Sequence, residues 1–151
     1  MMAAMAVVTV AVLICLLIHY ECLRLTGALI PRLTMMRPRA RILVVMVAVF
    51  GAHTLEVWFY AGAYWVTEHW LGLGTFTGDH ARMSSIEDYV YFSVVCYTTL
   101  GFGDIVPAGA LRLLSGVEAL LGLLLIGWSA SFTYLEMQQL WAQHRGRPRR
   151  R

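Results

Sequence analysis

The sequence predicts an all-α membrane protein with three transmembrane helices and one shorter, re-entrant helix between the second and the third. Three observations predict it. Hydrophobic residues make up 59% of the 151 residues, charged residues 14%, and the mean hydropathy is +0.65, a balance foreign to an ordinary soluble globule. Three apolar stretches reach the roughly 20 residues that a helix rising about 1.5 Å per residue needs to cross a core of about 30 Å. A fourth helical segment, 86–97, is too short to cross and has to be buried inside protein.

The first span covers 3–20, within an N-terminal segment 1–23. A cleaved signal peptide would carry a basic region ahead of its apolar run, but no arginine precedes Arg24, so a retained helix is expected. Residues 24–41 form a basic linker in which Arg24, Arg32, Arg37, Arg39 and Arg41 crowd together. The second span runs over about 42–68 and the third over about 109–137, before a basic tail at 138–151 with Arg145, Arg147, Arg149, Arg150 and Arg151. Both basic regions should face the cytoplasm, leaving the N-terminus outside and the C-terminus inside. Between spans two and three, Glu68, Asp79, Glu87, Asp88 and Asp104 face only Arg82 on the outer side.

All 12 basic residues are arginine, and the chain has neither lysine nor asparagine. This points to a GC-rich genome, hence to a multi-pass protein of a bacterial inner membrane, and it rules out N-glycosylation. The net charge of +3 is modest. The Arg-rich tail, broken by Gly146 and Pro148, suits anionic lipid at the cytoplasmic face rather than nucleic acid. A voltage sensor needs arginines at helical spacing inside an apolar helix, and Pro31 and Pro38 break the linker.

The stretch after span two, 69–84, reads as a turret loop marked by Gly72, Gly74 and Gly78; residues 75–79 belong to that loop. Ser84 or Ser85 caps the helix that follows, and Glu87 and Asp88 sit in its first turn, where carboxylates offset the positive helix end. Its negative C-terminal end favours a cation. Directly behind it comes Thr98-Thr99-Leu100-Gly101-Phe102-Gly103-Asp104. An ion that loses its water at a constriction needs a ring of replacement oxygens, and inward-turned backbone carbonyls supply one. Alternate glycines permit the dihedrals that aim successive carbonyls at one axis, and Thr99 adds a hydroxyl.

Residues 91–104 resemble the pore helix and selectivity filter of tetrameric K⁺ channels, in particular bacterial members of the two-transmembrane-helix ion-channel family, with an extra N-terminal helix here. The likeness covers about 42–137. It implies an outer helix, a pore helix at 85–97, a filter at 98–104 and an inner helix, assembled as a fourfold homotetramer. It also implies K⁺ coordination by Thr99, Leu100, Gly101 and Phe102, with Gly103 closing the outer end and Thr98, Asp104, Val95 and Tyr91 supporting the filter. No cofactor beyond the permeant K⁺ is expected. Phe102 stands where tyrosine is commoner, and Val95 where some relatives carry a glutamate that bonds the aspartate after the filter. Both changes remove polar bracing, which suggests a filter that can itself gate. A non-conducting or regulatory subunit needing a partner is the alternative.

In the last span, Gly122 resembles the inner-helix hinge of that family, while close helix packing is its plainer reading. Helical stepping from it places Ile126, Ala130 and Thr133 on the pore-lining face, and Glu136 to Trp141 can carry the helix beyond the membrane. His53, Glu56 and Glu118 are titratable groups inside spans, where lipid exposure is costly. They read as a pH sensor or as a hydrogen-bonded clamp between outer, inner and pore helices. Cys15, His19 and Cys22 share one helix face and form a candidate metal set, against ordinary packing of apolar-helix cysteines. No motif for catalysis is present, so an enzyme is not expected.

Overall fold

A computed structural model describes residues 2–78, 83 and 85–145, with the backbone alone at 38 and 143–145. Asp79, Arg82, Ser84, Gly146, Arg147, Pro148, Arg149, Arg150 and Arg151 lie outside the described residues. In chain order the elements are α1 (Met2–Leu29), a 3-10 turn (Ile30–Arg32), α2 (Pro38–His69), β1 (Phe76–Gly78), α3 (Ile86–Tyr97), β2 (Ile105–Pro107) and α4 (Leu111–Arg145). Three of the helices are long and apolar enough to cross a membrane.

The long helices exceed the spans expected from hydropathy. α1 continues nine residues past residue 20, so most of the basic linker is helical and only 33–37 separates the 3-10 turn from α2. Pro38 stands at the start of α2, where its missing N–H costs no helical bond and its fixed φ suits the first turn. α4 has 35 residues, about 52 Å at the helical rise, and so extends well beyond a hydrocarbon core. The expected tail from 138 onward therefore begins as helix.

α1 buries Val8, Ala11, Cys15, His19, Leu23 and Thr26, a stripe at steps of three and four that packs on α2 and α4. Toward the α3 side the core is aromatic. The Phe76 and Phe92 rings meet edge to face at 4.9 Å, and Tyr64 meets Phe92 at 5.0 Å, a geometry that the ring quadrupole favours. At the other end Leu23, Ile30, Val45, Val49 and Leu140 form a second apolar cluster.

α3 starts at a capping box: the Ser85 amide donates to Asp88 Oδ2 at 3.0 Å, which satisfies a donor that the helix leaves unpaired. The turret is more ordered than its glycines suggest. Phe76, Thr77 and Gly78 pair antiparallel with Pro107, Val106 and Ile105, two three-residue strands where a loop was expected. Gly78 adopts φ 127°, and a Cβ there would collide with the Asp104 carbonyl. The close approach therefore requires glycine.

Candidate ion-conduction segment and the polar helix junction behind it

Residues 98–104 leave the end of α3 with an alternating backbone. Thr98 has φ −83°, whereas Thr99, Gly101 and Gly103 have φ 61°, 58° and 80°. Thr99 is the one non-glycine with positive φ among the described residues, so Leu100 and Phe102 fall between left-handed neighbours. A β-strand sends successive residues to opposite faces; alternating the sign of φ lets successive carbonyls turn to one side. A left-handed threonine is unfavourable by about 1–2 kcal/mol, and the surroundings hold it there. Its amide donates to the Cys96 carbonyl at 2.9 Å, while the Leu100 and Gly101 amides converge on the Val95 carbonyl at 3.0 and 3.4 Å.

Two supports replace the bracing that the sequence lacks. Val95 has an apolar, buried side chain, yet its main-chain oxygen anchors the segment. Tyr91, one helical turn earlier, donates its hydroxyl to Asp104 Oδ2 at 2.8 Å. Asp104 is thus fastened to α3 by a phenol rather than a glutamate. The Thr98 hydroxyl is engaged with the Val94 carbonyl at 2.7 Å. In the single chain, Leu100 is 59% and Phe102 65% exposed.

Behind this segment the titratable residues form two clusters rather than one. Glu118 of α4 accepts hydrogen bonds from Ser93 of α3, at 2.5 Å, and from Tyr64 of α2, so one buried carboxyl joins three helices. Glu56 of α2 is fully buried. It accepts from Tyr97, the last residue of α3, at 2.5 Å and from His19 Nδ1 of α1 at 2.9 Å. His53 Nδ1 lies 2.8 Å from the Tyr97 hydroxyl and 3.3 Å from Glu56 Oε2, and His19 Nε2 lies 3.2 Å from Ser129 Oγ of α4. His53 and Glu56 therefore meet, while Glu118 belongs to a separate set.

The candidate Cys15–His19–Cys22 metal set does not assemble, and its alternative, ordinary packing, describes the cysteines. Cys15 packs in the apolar core and Cys22 Sγ faces the Ala48 carbonyl at 3.4 Å, because residues on one helix face diverge unless a second helix closes them. Among the described residues the three-donor cluster is His19, His53 and Glu56. Sequence reasoning missed the pairing of His19 with Glu56; the signal available was an imidazole and a carboxylate near the middle of two neighbouring spans.

Gly122 sits against the Tyr97 carbonyl and ring, with no room for a Cβ, and α4 runs unbroken through it. Its packing role is evident in this geometry. Ile126 and Ala130 are exposed in the single chain and Thr133 is half-buried.

The ion-channel family model matches residues 42–138, well over half of the chain. This protein belongs to the ion-channel family, with α1 added ahead of the matched region. Comparison with curated proteins gave no match, and neither did comparison with solved structures.

Proposed function

We propose that this ion channel is selective for K⁺ and conducts it passively, with residues 99–103 as its filter and four copies of the chain around one axis. The alternating left-handed backbone at Thr99, Gly101 and Gly103 carries the reading. Such a strand, repeated around an axis, offers carbonyls of Thr99, Leu100, Gly101 and Phe102 in place of the ion's water. One chain holds one such strand, and a closed ring needs several related by rotation. Exposed Leu100 and Phe102 suit faces that neighbouring copies cover. The C-terminal end of α3, next to Thr98, adds partial negative charge along the cation's path.

On this reading Ile126, Ala130 and Thr133 line the cavity beneath the filter. The arginines of 24–41 and of the C-terminal tail face the cytoplasm of a bacterial inner membrane and attract anionic lipid there, which leaves the N-terminus outside. The test is uptake of radiolabelled Rb⁺ by liposomes containing the purified protein. Uptake should be suppressed by external K⁺ and indifferent to the same concentration of Na⁺. Equal competition by Na⁺, or a monomeric mass for the purified particle, would end the proposal.

A further inference from the structure

We infer that His19, His53 and Glu56 form a binding site for a divalent first-row transition ion such as Zn²⁺, completed by the Tyr97 hydroxyl. The three donor groups come from α1 and α2, and their ligand atoms lie within 4.8 Å of one another. Two imidazoles and a carboxylate are a donor set that Zn²⁺ accepts in four-coordinate geometry. Metal–ligand bonds of about 2.0–2.2 Å place neighbouring tetrahedral donors about 3.3–3.6 Å apart. Here His53 Nδ1 and Glu56 Oε2 are 3.3 Å apart, and His19 Nδ1 and Glu56 Oε1 are 2.9 Å apart. The two imidazoles approach different oxygens of Glu56 and the His19 pair is closer than ligand spacing, so binding would require side-chain rotation that replaces these hydrogen bonds with metal–ligand bonds. Tyr97 Oη, 2.8 Å from His53 Nδ1 and 2.5 Å from Glu56 Oε2, is near enough to serve as a fourth donor.

Two further observations point the same way. Ser129 Oγ stands 3.2 Å from His19 Nε2. Without a metal His19 Nδ1–H donates to Glu56; with the proton moved to Nε2 and donated to Ser129 Oγ, Nδ1 would present its lone pair to a metal, the usual outer-shell arrangement of a ligating histidine. Charge is the second. Glu56 is fully buried, and among the described residues its ion-pair partners are His19 and His53 alone. A carboxylate inside a membrane needs a cation beside it, and a divalent ion shared with two neutral imidazoles provides one. Bound there, the ion would tie α1 and α2 to Tyr97, one residue before Thr98.

Co²⁺ titrated into the purified full-length protein in detergent provides the test, followed by visible absorbance and by metal content after gel filtration. One Co²⁺ per chain is expected, with the intense d–d bands of a four-coordinate ion and no thiolate charge-transfer band. His19→Gln and His53→Gln should each weaken binding by more than the roughly 10–100-fold that loss of an outer-shell partner costs, and Ser129→Ala by roughly 10-fold. Because Glu56→Gln can disturb folding, the half-buried His53 supplies the decisive variant. Binding unchanged in His53→Gln, a thiolate band that assigns the ion to Cys15 or Cys22, or no stoichiometric binding at all would each overturn the inference. Flux is not read, so a protein that holds Co²⁺ but passes no Rb⁺ would sink the K⁺ proposal and leave this site standing.

Discussion

The 98–104 segment and the polar junction behind it are adjacent in space and built on opposite principles. The segment is shaped by main chain: left-handed φ at Thr99, Gly101 and Gly103, and two amides gathered on the Val95 carbonyl. The junction is shaped by side chains from four helices, with Glu56 and Glu118 as its acceptors. The first should respond more to loss of backbone freedom than to changes of side chain. The second should respond most to the loss of a hydrogen-bond partner. Substitutions that separate these rules test the comparison directly.

The largest effect on conduction should follow from Gly101→Ala. A Cβ at φ 58° is unfavourable by about 1–2 kcal/mol in each chain, although nothing crowds it. Rb⁺ uptake should fall to the level of empty liposomes while helical circular dichroism is unchanged. Glu118→Ala acts in the reverse sense. It leaves the buried Tyr64 hydroxyl without its acceptor and opens a void, a cost of roughly 2–4 kcal/mol, to be read as a lowered Tm of the purified protein. Gly122→Ala comes next, at about 1–3 kcal/mol, since the new methyl meets the Tyr97 carbonyl. A purely hinge-like glycine would leave Tm alone and alter only open times in single-channel recordings. Smallest is Tyr91→Phe, which frees Asp104 from its phenol. Stability should hardly move, but currents should decline faster in low external K⁺, and Phe102→Tyr should slow that decline.

Legibility in the sequence follows the same division. α3 could be placed at 86–97 because its cap, first-turn carboxylates and following glycines are all local, and it ends where it does because Thr99 turns left-handed. The 98–104 motif is equally local. The His19–Glu56 contact spans 37 positions, and no periodicity within either helix announces it. Nor could the strand at 76–78 be read from Thr75 to Gly78, where glycine and threonine say loop; it pairs with 105–107, and Phe76 enters the aromatic core. Helix ends were underestimated because hydropathy marks where lipid stops, whereas helical backbone continues for as long as its hydrogen bonds are met.

The antiparallel match of Gly78 with Ile105 carries a mechanical consequence. Paired residues in such a ladder sit about 5 Å apart, so the excursion through 79–104 departs and returns through a single narrow stem. Tilting of α2 or α4 reaches residues 98–104 through that stem's base and through the hydrogen bonds that fasten α3 to Glu56 and Glu118. The re-entrant piece is thus clipped at its base by six residues of main chain and fastened along α3 by hydrogen bonds to its neighbours.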